Sequence, residues 1–135
     1  PTQISVNHYE NPNKKMIPHK DGGGSDRTAT IVTLGSSALL DFYYKPTDKT
    51  AIRFSSTPTE VFLPNDLLDV PTVSVFMAPR SALHVTKEAF CEWVHSIQPK
   101  EQDVIHDKVI NANMTNLKPG DIVKRQKRVS IVMWA

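Results

Sequence analysis

The sequence of 135 residues contains a single cysteine, Cys91. One thiol excludes an internal disulfide and any zinc site built from several cysteines. Chains without a disulfide framework are typical of reducing compartments, so we expect this protein in the cytoplasm and nucleus. We expect Cys91 itself to be a small buried hydrophobic residue.

Long apolar runs and common catalytic signatures are also missing. No stretch approaches the roughly 20 apolar residues that a membrane helix needs, and residues 1–7 lack the features of a signal peptide, so we expect no membrane association. Phosphate-binding loops, Gly-x-Ser-x-Gly elbows and a convincing Cys–His pair are absent. These absences argue against a nucleotide hydrolase and a hydrolase that uses a serine or cysteine nucleophile.

Charge is modest, with a formal net charge of +2. This balance is too small to predict nucleic-acid binding, but basic residues cluster near the C-terminal end at Lys118, Lys124, Arg125, Lys127 and Arg128. Such a cluster could contact phosphates. A solvated protein face is the more common explanation.

Short β-rich segments separated by turn residues dominate the chain. Alternating or β-branched patterns predict strands at residues 3–9, 28–34, 38–44, 52–55, 72–78 and 82–85, and a final strand pair at residues 121–124 and 128–134. Residues 45–71 contain four prolines and are predicted to be an irregular insertion, and residues 98–120 a polar loop. Many short strands predict one domain, a barrel or jelly roll.

One segment, residues 87–97, has helical spacing. Apolar residues recur there at intervals of three and four, and Thr86 is a plausible N-cap. We therefore predict a helix that ends near His95. Phe42, Phe90, Trp93 and Trp134 are predicted to be core residues rather than platforms for base stacking.

His19 and Asp21 form a His-x-Asp pair. Residues two apart point to the same side of an extended chain, so both side chains could bind one ion if a third ligand came from elsewhere. Two histidines and one carboxylate on one face of an octahedron suit Fe(II) and leave positions open. Position alone does not choose the third ligand, and the candidates are His8, His84, His95 and His106.

Several motifs in order resemble the AlkB family of dioxygenases. They are Asn7-His8-Tyr9, His19-Lys20-Asp21-Gly22, Ile31 to Ser36, Leu40-Asp41-Phe42-Tyr43, Met77 to Ser81, Val94-His95-Ser96-Ile97 and Arg128-Val129-Ser130-Ile131. The amino-acid sequences of the Gly35–Tyr43 and Ala78–Ser81 segments are most similar to the AlkB homologue 6 subgroup. Thr33 stands where the family pattern has serine.

The resemblance implies a jelly-roll catalytic core over residues 1–135 that uses Fe(II), 2-oxoglutarate and O2. It implies His19, Asp21 and His95 as iron ligands. It also implies that Asn7 and Tyr9 hydrogen-bond 2-oxoglutarate, that Arg128 pairs with its far carboxylate, and that Ser130 assists. The implied activity is oxidative demethylation or hydroxylation, with alkylated DNA or RNA as the expected substrate.

Two features depart from the family pattern. Trp134 stands where the family often has a second arginine, which places 2-oxoglutarate binding in doubt. The chain also starts a few residues before the His-x-Asp strand, so we expect the N-terminal substrate-recognition part to be missing. A monomer is expected.

Two other functions remain open on the sequence alone. The chain could be a weak or inactive relative that binds nucleic acid or a protein. It could also be a cupin-like metalloenzyme in which His84 replaces His95.

Overall fold

The computed structural model of the chain describes residues 2–21, 24, 26–44, 52–53, 60–61 and 70–135. The strands in these ranges are β1 (Gln3–Tyr9), β2 (Met16–Lys20), β3 (Thr28–Gly35), β4 (Ala38–Tyr43), β5 (Ile52–Arg53), β6 (Glu60–Val61), β7 (Val73–Met77), β8 (Ser81–Thr86), β9 (Val94–Ile97), β10 (Gln102–Val104), β11 (Ile122–Lys124) and β12 (Arg128–Trp134). The helical segments are α1 (Lys87–Cys91) and a 3₁₀ helix, Ala112–Thr115.

Two antiparallel sheets form the body of the molecule. The four-stranded sheet has the order β1-β12-β3-β8, and the six-stranded sheet has the order β5-β6-β2-β9-β4-β7. β10 and β11 form a separate two-stranded sheet. The predicted mainly β, jelly-roll-like fold is confirmed.

An apolar core joins the two main sheets. Side chains from both contribute to it, including Ala29, Val85 and Val132 from the four-stranded sheet and Leu40, Phe42 and Ile97 from the six-stranded sheet. Burial of a side chain the size of leucine or phenylalanine contributes about 1.5–3 kcal/mol. This shared core holds the inner faces of the sheets opposite each other.

Most predicted strands are present within one or two residues of their predicted ends. Of the predicted insertion at 45–71, only β5, β6 and residues 70–71 are described, and the rest lies outside the described residues. The sequence pattern did not predict β2, where Pro18 interrupts the alternation. The final two strands, predicted as a pair, do not pair: β11 pairs with β10, and β12 lies between β1 and β3.

The predicted helix at residues 87–97 is wrong over its second half. α1 ends at Cys91, and β9 begins at Val94. Thr86 is the N-cap residue but makes no side-chain capping hydrogen bond. All four residues of β9 are buried, and the strand lies between β2 and β4. In a central strand that is buried on both faces, apolar residues occur at spacings that also fit a helix. This ambiguity explains the wrong prediction. No helix in the described ranges is long and apolar enough to cross a membrane.

The segment predicted as a polar loop at residues 98–120 is more ordered than expected. It contains β10 and the 3₁₀ helix, and Ile105 and Val109 pack against Leu39 and Phe76 on the outer side of the six-stranded sheet. β4 is therefore buried on both faces. Long-range packing, which local polarity does not reveal, orders this segment.

The C-terminal basic cluster is not a surface patch. Arg125 and Arg128 are 7% and 4% exposed, whereas Lys118, Lys124 and Lys127 are exposed. The Arg125 guanidinium donates to both carboxylate oxygens of Asp103 at 2.6 Å and to the Gln98 carbonyl at 2.5 Å. Two of the five positive charges in the cluster are therefore buried inside the protein.

Loss of Arg125 is expected to destabilise the fold strongly. In an Arg125→Met variant, the Asp103 carboxylate, which is fully buried, would have no cation beside it. Removal of one partner of a buried ion pair costs about 3–5 kcal/mol. Urea denaturation should show this decrease in the free energy of unfolding, while Lys124→Met, at an exposed position, should change it by less than about 0.5 kcal/mol. Equal stability of the two variants would contradict this role for Arg125.

Candidate metal centre

His19 and His95 are brought together by strand pairing. β2 and β9 are antiparallel neighbours, and the Cα atoms of His19 and His95 are direct partners across them. Directly opposed residues project to the same face of a sheet. The two imidazole rings consequently lie with centroids 4.3 Å apart and planes inclined at 56°.

A register shift in β2 turns His19 inward. Met16 pairs with Ile97 and His19 pairs with His95, so three steps along β2 match two steps along β9. Strict alternation from the inward Met16 would send His19 to the outer face. One extra residue, next to Pro18, which cannot donate to the ladder, restores His19 to the inner face.

Asp21 completes the cluster from the end of β2. Its Oδ1 lies 3.5 Å from His19 Nε2, and its Oδ2 lies 3.9 Å from His95 Nε2. One ligand atom from each of the three residues lies within 4.8 Å of the others, which allows them to hold a metal ion. In the part of the chain that the structure describes, this is the one group of histidine, cysteine or carboxylate side chains that meets this distance.

The ionisation of the cluster also suits a cation. Burial favours the neutral form of Asp21, but its hydrogen bond with His19, the nearby histidine charges and a hydrogen bond from Trp134 outweigh burial and lower its pKa. Burial, with the charge of His19, lowers the pKa of His95 to about 4. Metal binding requires a carboxylate and neutral imidazoles, so Asp21 and His95 are already in the required forms.

His19 has a fixed ring orientation. Its Nδ1 lies 2.7 Å from the carbonyl oxygen of Ile17, which makes Nδ1–H the donor and leaves Nε2 directed toward Asp21. Burial opposes protonation of His19, but the hydrogen bonds to Asp21 and Ile17 outweigh it and raise its pKa. The Nε2 lone pair of His19 therefore favours a positive partner, either a proton or a divalent cation that takes the place of the proton.

The other three histidines lie elsewhere. His84 is exposed on β8, with its Nδ1 2.8 Å from Thr30 Oγ1. His8 is exposed on β1, and His106 is partly exposed outside the six-stranded sheet. Since none of them joins the cluster, the cupin-like arrangement with His84 in place of His95 has no geometric support.

A cavity of about 650 Å³ opens beside the cluster, between the two sheets. It is a typical volume for a small-molecule site. His19, Asp21 and His95 lie on its lining, and the inner face of the four-stranded sheet supplies Asn7, Tyr9, Arg128, Ser130 and Trp134. All seven residues that the resemblance implied as metal or cofactor contacts thus line one cavity.

Arg128 brings a buried and only partly hydrogen-bonded guanidinium to this cavity. Its Nη2 donates to Thr33 Oγ1 at 3.0 Å and lies 3.7 Å from Met77 Sδ, and its Cζ lies 5.0 Å from the centre of the Tyr9 ring. Nε and Nη1 are buried and have no hydrogen-bond partner among the described residues. A buried cation with two free donors is costly unless an anion binds there.

Asn7 and Ser130 are cross-strand partners near Arg128. Asn7 Nδ2 lies 3.3 Å from Ser130 Oγ, and the next inward pair on the same strands is Tyr9 and Arg128. On β1 the polar residues face the cavity. The apolar residues Ile4 and Val6 are 60% and 53% exposed. The inward polar row is what a site for a charged small molecule requires.

Gly35 permits the close approach that positions β12. Its φ is +79°, and a Cβ added there would lie 2.6 Å from the Lys127 carbonyl oxygen. Gly35 pairs with Arg128, and the adjacent Ser36 N–H donates to the Lys127 carbonyl at 2.9 Å. The turn after β3 thus fixes the start of the strand that bears Arg128.

The role of Thr33 and the position of Trp134 in the cavity were not predicted from the sequence. Thr33 appeared only as a departure from the family serine, but it is fully buried and accepts the hydrogen bond from Arg128. Thr33 lies opposite Ser130 across β3 and β12, a register that becomes visible only when the two strands pair. Trp134, predicted as a core residue and noted as the missing arginine, packs against the main core and also lines the cavity that contains Asp21.

Comparison with known proteins gives a match that extends over nearly the whole chain. The chain is 28% identical over 130 residues to a zebrafish (Danio rerio) protein named Probable RNA/DNA demethylase ALKBH6, and the match covers 96% of this chain and 51% of that protein. The chain therefore spans about half the length of the curated relative it matches. No protein-family model matches the chain. At this identity, the similarity supports a relationship with AlkB-like proteins.

Proposed function

We propose that this chain is an AlkB-type dioxygenase core that uses Fe(II) and 2-oxoglutarate. The observation that carries the proposal is the presence, in one cavity, of the His19–Asp21–His95 cluster and of the Arg128 guanidinium, whose Nε and Nη1 have no partner among the described residues. One group suits a metal ion and the other suits a carboxylate. The similarity to a probable RNA/DNA demethylase supports the same assignment.

The donor set fits iron. Two imidazoles and one carboxylate form the facial triad of non-haem Fe(II) oxygenases, which leaves coordination positions for other ligands. In this proposal His19 Nε2, one oxygen of Asp21 and His95 Nε2 hold the ion. The hydrogen bond from His19 Nδ1 to the Ile17 carbonyl fixes the ring and increases its basicity as a ligand.

Arg128 fits the distal carboxylate of 2-oxoglutarate. A guanidinium has two forks that match the two oxygens of a carboxylate, Nε with Nη2 and Nη1 with Nη2, and each fork of Arg128 keeps a free donor because Nε and Nη1 have no partner among the described residues. Thr33 and the Tyr9 ring hold the guanidinium in place. Asn7, Tyr9 and Ser130 offer further hydrogen bonds to the co-substrate from the same row of the sheet.

Together with 2-oxoglutarate and O2, bound iron would supply an oxidant able to hydroxylate a C–H bond, such as that of an N-methyl group. The chain's residues contribute orientation: the triad fixes the metal side of the cavity, and Arg128 fixes the far end of the co-substrate. The apolar residues of the lining, including Ile31, Leu40 and Val132, offer water no hydrogen-bond partners on their part of the cavity wall.

We propose alkylated DNA or RNA as the substrate. The cavity is partly open to solvent, and its lining includes the exposed Lys14 and Lys15, which lie between β1 and β2 in the sequence. Lysines at such an entrance suit a phosphate backbone. The name of the zebrafish relative supports this class. We propose that the protein acts as a monomer in the cytoplasm and nucleus.

Turnover of 2-oxoglutarate tests the proposal. Purified protein with Fe(II), ascorbate and O2 is expected to convert 2-oxoglutarate to succinate, measured by mass spectrometry, and methylated oligonucleotides are expected to increase the rate. Asp21→Asn keeps the side-chain shape but removes the charge, and it is expected to decrease succinate formation by at least about 100-fold. Loss of a residue that only supports a metal ligand decreases activity by up to about 100-fold, and loss of a ligand should cost at least as much.

Asp107→Asn is the matched control, since Asp107 is an exposed carboxylate outside the cluster. It should leave succinate formation unchanged. Absence of succinate in the unmodified protein, with iron shown to be bound, would contradict the enzymatic proposal and favour a binding module.

A further inference from the structure

A row of aromatic rings runs from the metal centre to the protein surface. The ring centroid of His95 lies 5.8 Å from that of Phe42. The next contacts are Phe42 with Trp93, at 6.4 Å between centroids, and Trp93 with Tyr44, at 5.1 Å. Such separations are those of aromatic rings in direct contact. Tyr44 is 48% exposed, so the row begins at a candidate metal ligand and ends in solvent.

Strand pairing produces this row. Phe42 and His95 are direct Cα partners across β4 and β9, so their side chains project to the same face of the sheet. Tyr44 follows Phe42 by two residues and Trp93 precedes His95 by two, which is the spacing of strand residues that share a face. The Tyr44 backbone N–H donates to Thr72 Oγ1 at 3.0 Å and is thus held in place just past β4. The pairing of β4 with β9 therefore aligns all four rings.

Trp93 and Tyr44 differ from Phe42 in how readily their side chains lose an electron. Indole and phenol groups are oxidised far more easily than a phenyl ring, so Phe42 serves as a bridge between His95 and Trp93. Trp93 is partly buried, whereas Tyr44 is exposed enough for water to accept its phenolic proton. The order of the rings therefore favours movement of an electron inward from Tyr44 and release of a proton outward.

An oxidant formed at the metal when no substrate is bound endangers the cavity lining. Tyr9, Met77 and Trp134 line the same cavity as the metal cluster, and their side chains are oxidised readily. Met77 is also a buried member of the main core. Oxidation of a methionine makes an apolar side chain polar and disrupts the core around it. A separate source of electrons would spare these residues.

We propose that Phe42, Trp93 and Tyr44 form a protective relay that supplies electrons to the metal centre when no substrate is bound. Tyr44 loses one electron through Trp93 and Phe42 and gives its phenolic proton to water, while the oxidant at the metal gains one electron and one proton. A small reductant in solution, such as ascorbate, then returns an electron and a proton to the Tyr44 radical. This inference rests on the proposed function, because that function supplies the oxidant.

The test is electron paramagnetic resonance of the whole chain, frozen during reaction with Fe(II), 2-oxoglutarate and O2 without substrate or ascorbate. The unmodified chain is expected to give a tyrosyl radical signal. Tyr44→Phe removes the electron donor and Trp93→Phe interrupts the row, so both are expected to lose the signal. Tyr43→Phe is the matched control and should keep it, because Tyr43 is the adjacent tyrosine but is buried beside Val94, away from the row.

Succinate measured in the same samples separates this inference from the proposed function. Succinate without a tyrosyl radical, or a radical that persists in Tyr44→Phe, would overturn the relay and leave the dioxygenase assignment intact. Absence of succinate with iron bound would overturn the proposed function and, with it, this inference. Tyr44→Phe removes only a hydroxyl group from an exposed residue, so it tests the relay even where Trp93→Phe impairs folding.

Peptide mass spectrometry provides a second measurement, after reaction without substrate but with ascorbate. Tyr44→Phe and Trp93→Phe are expected to add oxygen atoms to the peptides that contain Met77 and Trp134, because the oxidant then attacks the cavity lining. The unmodified chain and Tyr43→Phe should keep these peptides unchanged. Equal oxidation of the cavity peptides in all four proteins would overturn the protective role.

Discussion

Replacement of His19 by alanine is expected to abolish tight Fe(II) binding. The variant loses one of three candidate ligands and keeps the other two, His95 and Asp21, on different segments. Loss of a direct ligand should exceed the roughly 10–100-fold effect of losing a residue that only orients a ligand. We therefore expect a decrease in affinity of more than about 100-fold, measured by anaerobic calorimetry.

His84→Ala is the control for this experiment. His84 is also a strand histidine hydrogen-bonded through Nδ1, but it is exposed and outside the cluster. It should retain the affinity of the unmodified chain, and His95→Ala should lose it as His19→Ala does. Loss of Fe(II) binding in His84→Ala, with retention in His95→Ala, would favour the cupin-like alternative instead.

Replacement of Arg128 by methionine is expected to weaken 2-oxoglutarate binding while iron binding is retained. Truncation of one partner of a buried charge pair costs about 2–5 kcal/mol, which corresponds to roughly 30-fold to several thousand-fold in Kd. The free protein should be as stable as before or more stable, because a buried cation with two unpaired donors is removed. Calorimetry of the iron-loaded variant with 2-oxoglutarate measures the first effect, and urea denaturation measures the second.

Lys127→Met is the matched control, because Lys127 precedes Arg128 but is exposed. It should bind 2-oxoglutarate normally. Normal binding in Arg128→Met would show that the guanidinium does not receive the co-substrate. A large loss of stability would mean that Arg128 has mainly a structural role, as Arg125 has.

Much of the fold could be predicted from local patterns, because a half-buried strand has a period of two. β1, β3 and β12 begin at their predicted residues and end within one residue of prediction. The pattern failed in β9, one of the strands that are buried on both faces. In β9, Val94 and Ile97 fit helical spacing equally well, and only the neighbouring β2 and β4 make this segment a strand.

The site was predictable only in part. The His19–Asp21 spacing indicated a shared face, but residue spacing could not select His95 over His84, and the resemblance made that choice. The register shift in β2, which turns His19 inward, depends on pairing with β9 and leaves no local sequence signal beyond Pro18. The roles of Arg125 and Arg128 also depend on burial, and both were grouped at first with surface lysines.

The most direct test of the account is an anaerobic titration of the unmodified chain with Fe(II) and then 2-oxoglutarate, followed by visible absorption. Chelation of iron by 2-oxoglutarate gives a metal-to-ligand charge-transfer band, which requires the metal centre and the co-substrate site to work together. We predict that the band forms in the unmodified chain, is absent in His19→Ala, and requires more 2-oxoglutarate in Arg128→Met. Iron binding without the band would contradict the account.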